Sequence, residues 1–131
     1  SSSSSSSSSK VVPKTAYEFE KNYRRIRGEP LELARYLQAI PVAKYRNLLA
    51  TALDGDFLGD VVNALFTRFA ARDGLQQEWV VQALKGISAV DRFKMSAMFL
   101  SEQHKEEITT MLNAFEGPDS DAVAKAYGVT L

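Results

Sequence analysis

Apolar residues recur along this chain at helical spacing. After Pro13 and Lys14, the order Thr15-Ala16-Tyr17-Glu18 has the form of a capping box, a threonine followed three residues later by glutamate. Ala16, Phe19, Tyr23 and Ile26 then mark one face of a first helix, and Gly28 supplies its expected stop. Pro30 suits the first position of a second helix with Leu33, Leu37 and Ile40 on its inner stripe, and Pro41 ends it. Tyr45, Leu48, Leu49 and Ala52 predict a third helix, closing at Asp54-Gly55. Asp56 is the expected cap of a fourth, in which Leu58, Val61, Val62, Leu65 and Phe69 keep the helical repeat until Asp73-Gly74. Trp79, Val80, Ala83, Leu84 and Ile87 predict a fifth that weakens at Gly86. Ser88 is the expected cap of a sixth, from about Val90 to Leu100, and Ser101 of a seventh carrying Ile108, Met111, Leu112 and Phe115 up to Gly117-Pro118. A last helix spans Asp121 to Tyr127 and stops at Gly128.

No stretch sustains the alternation of a half-buried strand, and no internal repeat of fixed period occurs. The pattern predicts an all-α fold of about seven to eight antiparallel helices, either a compact bundle or a short right-handed solenoid.

The sixth segment departs from a simple surface helix. At about 100° per residue, Phe93, Ala97 and Leu100 share one side, while Arg92, Met95 and Phe99 form a stripe nearly opposite. One side can enter the core. The other is either covered by a neighbouring layer, with Arg92 paired at the rim, or exposed as a Met/Phe/Arg patch of the residue types enriched at protein interfaces. Partner binding by Arg92, Met95 and Phe99 is the functional expectation.

Composition narrows the classes. The first nine residues are serine, a run that buries nothing, so residues 1–14 read as a disordered Ser-rich tether or artificial linker and 15–131 as one helical interaction domain. Sixteen Lys and Arg balance sixteen Asp and Glu, which removes the basic field that nucleic-acid binding uses. With no cysteine, no apolar leader and no membrane-length apolar run, the expectation is a soluble monomer of the cytoplasm, or also the nucleus, that binds neither nucleic acid nor membrane.

Little here suggests catalysis. His104 is the single histidine and reads as a solvated residue in the first turn of the seventh helix, while the neighbours Glu106 and Glu107 point to different sides. Asp54-Gly55-Asp56 lacks the remaining ligands of a calcium loop, and the Arg24, Arg25, Arg27 cluster is interleaved with Glu18, Glu20, Glu29 and Glu32. No catalytic residue, metal site or cofactor is expected. A self-associating structural module and a groove for short linear peptides are the alternatives to an adaptor; an enzyme ranks behind both.

The run Val90-Asp91-Arg92-Phe93-Lys94-Met95-Ser96-Ala97-Met98-Phe99-Leu100-Ser101 resembles the signature helix of the C-terminal domain of the RNA polymerase II-associated protein 3 family, also found in sperm-associated antigen 1 and in a coiled-coil protein of ciliary dynein assembly. Ala16-Tyr17-Glu18-Phe19-Glu20, Tyr36-Leu37-Gln38-Ala39-Ile40 and Ala126-Tyr127-Gly128 are similar to that domain in the same order; only the Arg-Phe-x-Met-x-x-Met-Phe core is specific. The resemblance implies an adaptor that docks onto a RuvB-like AAA+ ATPase. It further implies that tetratricopeptide repeats elsewhere in the full-length protein recruit heat-shock protein 90, for assembly of RNA polymerases, small nucleolar particles or axonemal dynein arms. It assigns the ATPase contact to Arg92, Met95 and Phe99.

Overall fold

The computed structural model describes residues 12–71 and 76–131. Among these are eight helices and no strand: α1 (Ala16–Ile26), α2 (Pro30–Ala39), α3 (Val42–Ala52), α4 (Gly55–Ala71), α5 (Gln77–Ser88), α6 (Phe93–Met98), α7 (Glu102–Ala114) and α8 (Pro118–Tyr127). The all-α expectation therefore holds. Pro13 is buried, so ordered packing begins ahead of Thr15. The Asp73-Gly74 break lies outside the described residues.

Helices two or three places apart in the chain pack most closely. α1, α3, α5 and α8 stack in succession, α2, α4 and α7 do the same, and the short α6 rests on α4 and α5. Two stacked layers of this kind have the organisation of a short solenoid more than of a bundle whose sequential neighbours pair. A single apolar core runs between them. At one end Phe19 and Tyr23 of α1 meet Tyr36 of α2 and Phe57 of α4, with Phe19–Phe57 and Tyr23–Phe57 edge-on at 5.6 and 4.8 Å between ring centres. The Tyr23 hydroxyl donates to Asp60 on α4. Burial, reinforced by that carboxylate, raises the Tyr23 pKa well above its ordinary value. The buried hydroxyls of Tyr45 and Tyr127 donate to the carbonyls of Leu37 and Leu84, each at 2.8 Å, which satisfies the polar tip of an otherwise apolar side chain.

Several helix ends differ from expectation. Thr15 does accept from the Glu18 N–H, but the Glu18 carboxylate reaches back to the Lys14 N–H, one residue before the cap. α1 ends at Ile26, and Gly28 is not left-handed, since Gly128 is the one positive-φ glycine among the described residues. α4 starts at Gly55 with the Leu58 N–H on the Asp54 carbonyl, so Asp56 lies inside the first turn, where a carboxylate favours the helix dipole, rather than at the cap. α5 runs unbroken through Gly86, where the missing Cβ leaves room for α3: a Cβ there would overlap Val42 Cγ1 and lie 3.3 Å from Tyr45 Cδ2. Gly117-Pro118 opens α8 instead of only ending α7, with Gly117 as the cap and Pro118 in the first turn.

Candidate docking face on the sixth helix

α6 is shorter than the apolar pattern predicts. Ser88 does not cap it; its hydroxyl donates to the Lys85 carbonyl at 2.7 Å and belongs to the last turn of α5. The chain then tightens into bonds three residues apart, Val90 to Ile87 and Phe93 to Val90, and again after the helix, Phe99 to Ser96 and Leu100 to Ala97. Val90 and Leu100 are both buried and pin the two ends of the six-residue helix to the core. Arg92 and Phe99, the residues flanking it, keep right-handed backbone (φ −76°, ψ −3° and φ −87°, ψ −3°), so the outer stripe survives the shortening.

The two sides of this segment meet different environments. Phe93 and Ser96 are buried, and the Phe93 ring stands edge-on to Tyr127 of α8 at 4.7 Å. On the opposite side Arg92 is exposed, and Met95, Met98 and Phe99 expose 63%, 81% and 69% of their surface. With Tyr17 at 76%, these three are the most exposed large apolar side chains among the described residues, and they lie within five positions of one another. No layer covers them, so the sandwiched alternative does not describe this side of α6. Met98 was absent from the expected site, although it adjoins the Arg92, Met95, Phe99 stripe on the same outward arc.

The face is seated on a glycine. A Cβ placed on Gly55, the first residue of α4, would lie 2.7 Å from both Cβ and Cγ of Phe99 and 2.8 Å from Cδ2. Neighbouring His104 is not solvated as expected. It is partly buried, its ring lies against Gly59 of α4, and its Nδ1 accepts from the Ser101 N–H at 3.4 Å, completing a capping box in which His replaces the usual Glu or Gln. Glu106 is exposed, whereas Glu107 is partly buried with Oε1 enclosed and outside any hydrogen bond. Among the described residues, no group of three or more His, Asp or Glu could hold a metal ion.

A family model described as "Potential Monad-binding region of RPAP3" matches residues 12–105, which include α1 to α6 and the whole outer face. The chain belongs to this family. Within the RNA polymerase II-associated protein 3 family, the Xenopus laevis protein is 30% identical over 124 residues and the human protein 26% over 102, covering 91% and 78% of this chain. The chain spans only 18% and 15% of those relatives' own lengths. The solved C-terminal domain of the human protein has the same fold, with a TM-score of 0.74 at 23% identity, covering 88% of this chain and 87% of that one.

Proposed function

We propose that this domain is a non-catalytic adaptor that docks onto a RuvB-like AAA+ ATPase through Arg92, Met95 and Phe99, with Met98 extending the contact. The observation that carries the proposal is the uncovered half of α6. A methionine pair and a phenylalanine stand in water on a helix whose other half is core, an arrangement that lowers solubility and is ordinarily retained for a partner. Methionine adapts to the opposing surface, phenylalanine fills a hollow and arginine hydrogen-bonds at the edge. Other parts of the full-length protein would recruit heat-shock protein 90, so that docking brings the chaperone to RNA polymerase, small nucleolar particle or dynein-arm assembly in the cytoplasm or nucleus. The second reading is the partner called Monad, favoured by the description of the family model.

Introducing negative charge on this face tests both. Met95→Glu or Phe99→Glu should abolish capture of a purified RuvB-like ring while the circular-dichroism melt stays near wild type. Arg92→Glu should weaken capture with little change in the melt. Retained capture by all three variants refutes this face as the docking site, failure of the unaltered domain to capture the ring refutes the ATPase reading, and parallel capture of Monad decides between the partners. Sedimentation at several concentrations checks self-association: a dimer disrupted by the same substitutions would assign the face to a second copy.

A further inference from the structure

We infer that the docking surface spans two elements, and that Gly55 at the start of α4 is its positioning residue, holding the Phe99 ring in the orientation the partner meets. The inference rests on the proposed docking role of Phe99.

Gly55 has no conformational need to be glycine. Its φ is not positive, and the start of a helix accepts most residues. Space is the reason. An added Cβ would meet Phe99 at 2.7 Å on both Cβ and Cγ, the root of the side chain rather than its movable tip. Rotating the ring cannot relieve that contact; the backbone at Phe99 or at Gly55 must move. Phe99 is also held at its own backbone, by its N–H on the Ser96 carbonyl and by Leu100, buried beside it. One side of the Phe99 side chain therefore rests on bare α4 backbone while 69% of its surface stays open. An anchor fixed in this way enters a hollow without first losing rotamer freedom, which lowers the entropic cost of association. Gly28 supplies the contrast: nothing lies within 4 Å of a Cβ there.

A double-mutant cycle in the full chain separates the possibilities, with affinity for a purified RuvB-like ATPase ring as the readout and a melt recorded for each variant. Gly55→Ala should weaken binding by about fivefold or more, and in a Phe99→Ala background it should add less than about twofold, because its effect passes through the ring. Gly28→Ala should leave affinity unchanged. If Phe99→Ala weakens binding and Gly55→Ala does not, the seat is refuted and the docking role stands. If Gly55→Ala costs the same in both backgrounds, Gly55 does not act through Phe99 and the inference fails. If Phe99→Ala binds normally, the docking reading falls and takes the inference with it. Proton NMR of the unaltered protein supplies a test independent of any variant's folding. Gly55 Hα should show cross-peaks to the Phe99 ring and a ring-current shift, and their absence would overturn the seat.

Discussion

α4 and α6 both carry more apolar side chains than one packed face requires, and the difference between them lies in what surrounds each. α4 is 17 residues long and is packed by α2, α6 and α7, so Phe57, Leu58, Val61, Val62, Ala64 and Leu65 are all enclosed. α6 has six residues, rests on α4 and α5 from beneath, and none of the described residues forms a layer above it. The same excess of apolar surface is therefore core in one helix and an uncovered face in the other. Amphipathicity measured along a helix does not separate the two cases; the number of neighbouring layers does.

The largest test of this contrast is truncation in the covered regions. Leu65→Ala in α4 and Phe93→Ala on the inner side of α6 should each cost about 2–5 kcal/mol in chemical denaturation, through lost burial and the cavity left behind. Met98→Ala, on the outer side of the same short helix, should stay within about 0.5 kcal/mol of wild type. A loss at Met98 comparable to that at Phe93 would break the comparison.

Alkali sharpens it next. Burial raises the pKa of Tyr45 and Tyr127, and burial with the Asp60 bond raises that of Tyr23, above the ordinary value of 10.0. The native state keeps these phenols protonated where the unfolded chain would release the protons. Their contribution to stability is thus complete below about pH 10 and declines as the pH climbs beyond it. Denaturant midpoints should fall in that window while phenolate absorbance lags behind that of the unfolded chain. Tyr45→Phe should remove part of the fall; an unchanged pH slope in that variant would remove Tyr45 from the account.

The smallest structural effect is expected from mild peroxide. Each oxidised thioether gains one oxygen as the peroxide is reduced to water. Met95 and Met98 should form sulfoxides well before Met111, which is 1% exposed, and the melt should change little, as read by peptide mass spectrometry and circular dichroism. Early oxidation of Met111 would show that the covered region opens as readily as the exposed one.

The sequence makes the helices legible because their signal is local: Leu58, Val61, Val62 and Leu65 repeat at the helical period and are all buried. Their ends are less legible, since serine, aspartate, glycine and proline serve both starts and stops. Ser88 bonds backward into α5, Asp56 falls inside α4, and Pro118 begins α8, each choice depending on where the preceding helix is held by the core. The outward stripe of Arg92, Met95 and Phe99 follows from angle alone, but whether a layer covers it does not. Met98 lies at the edge of that stripe, where angle alone does not assign it to either side. Gly55 is invisible to any local rule, since its contact with Phe99 joins positions 44 residues apart.

Tyr127 gives α8 a role that its place at the far end of the chain conceals. Its ring backs Phe93 and its hydroxyl ties to Leu84 of α5, so the last helix braces both the inner side of α6 and one of the helices beneath it. A shortened form cut to residues 12–105, the span of the family match, would keep the outward-facing side chains of α6 and the two helices it rests on, but lose the ring that backs Phe93. Anyone minimising this domain as a reagent must carry the chain through Gly128.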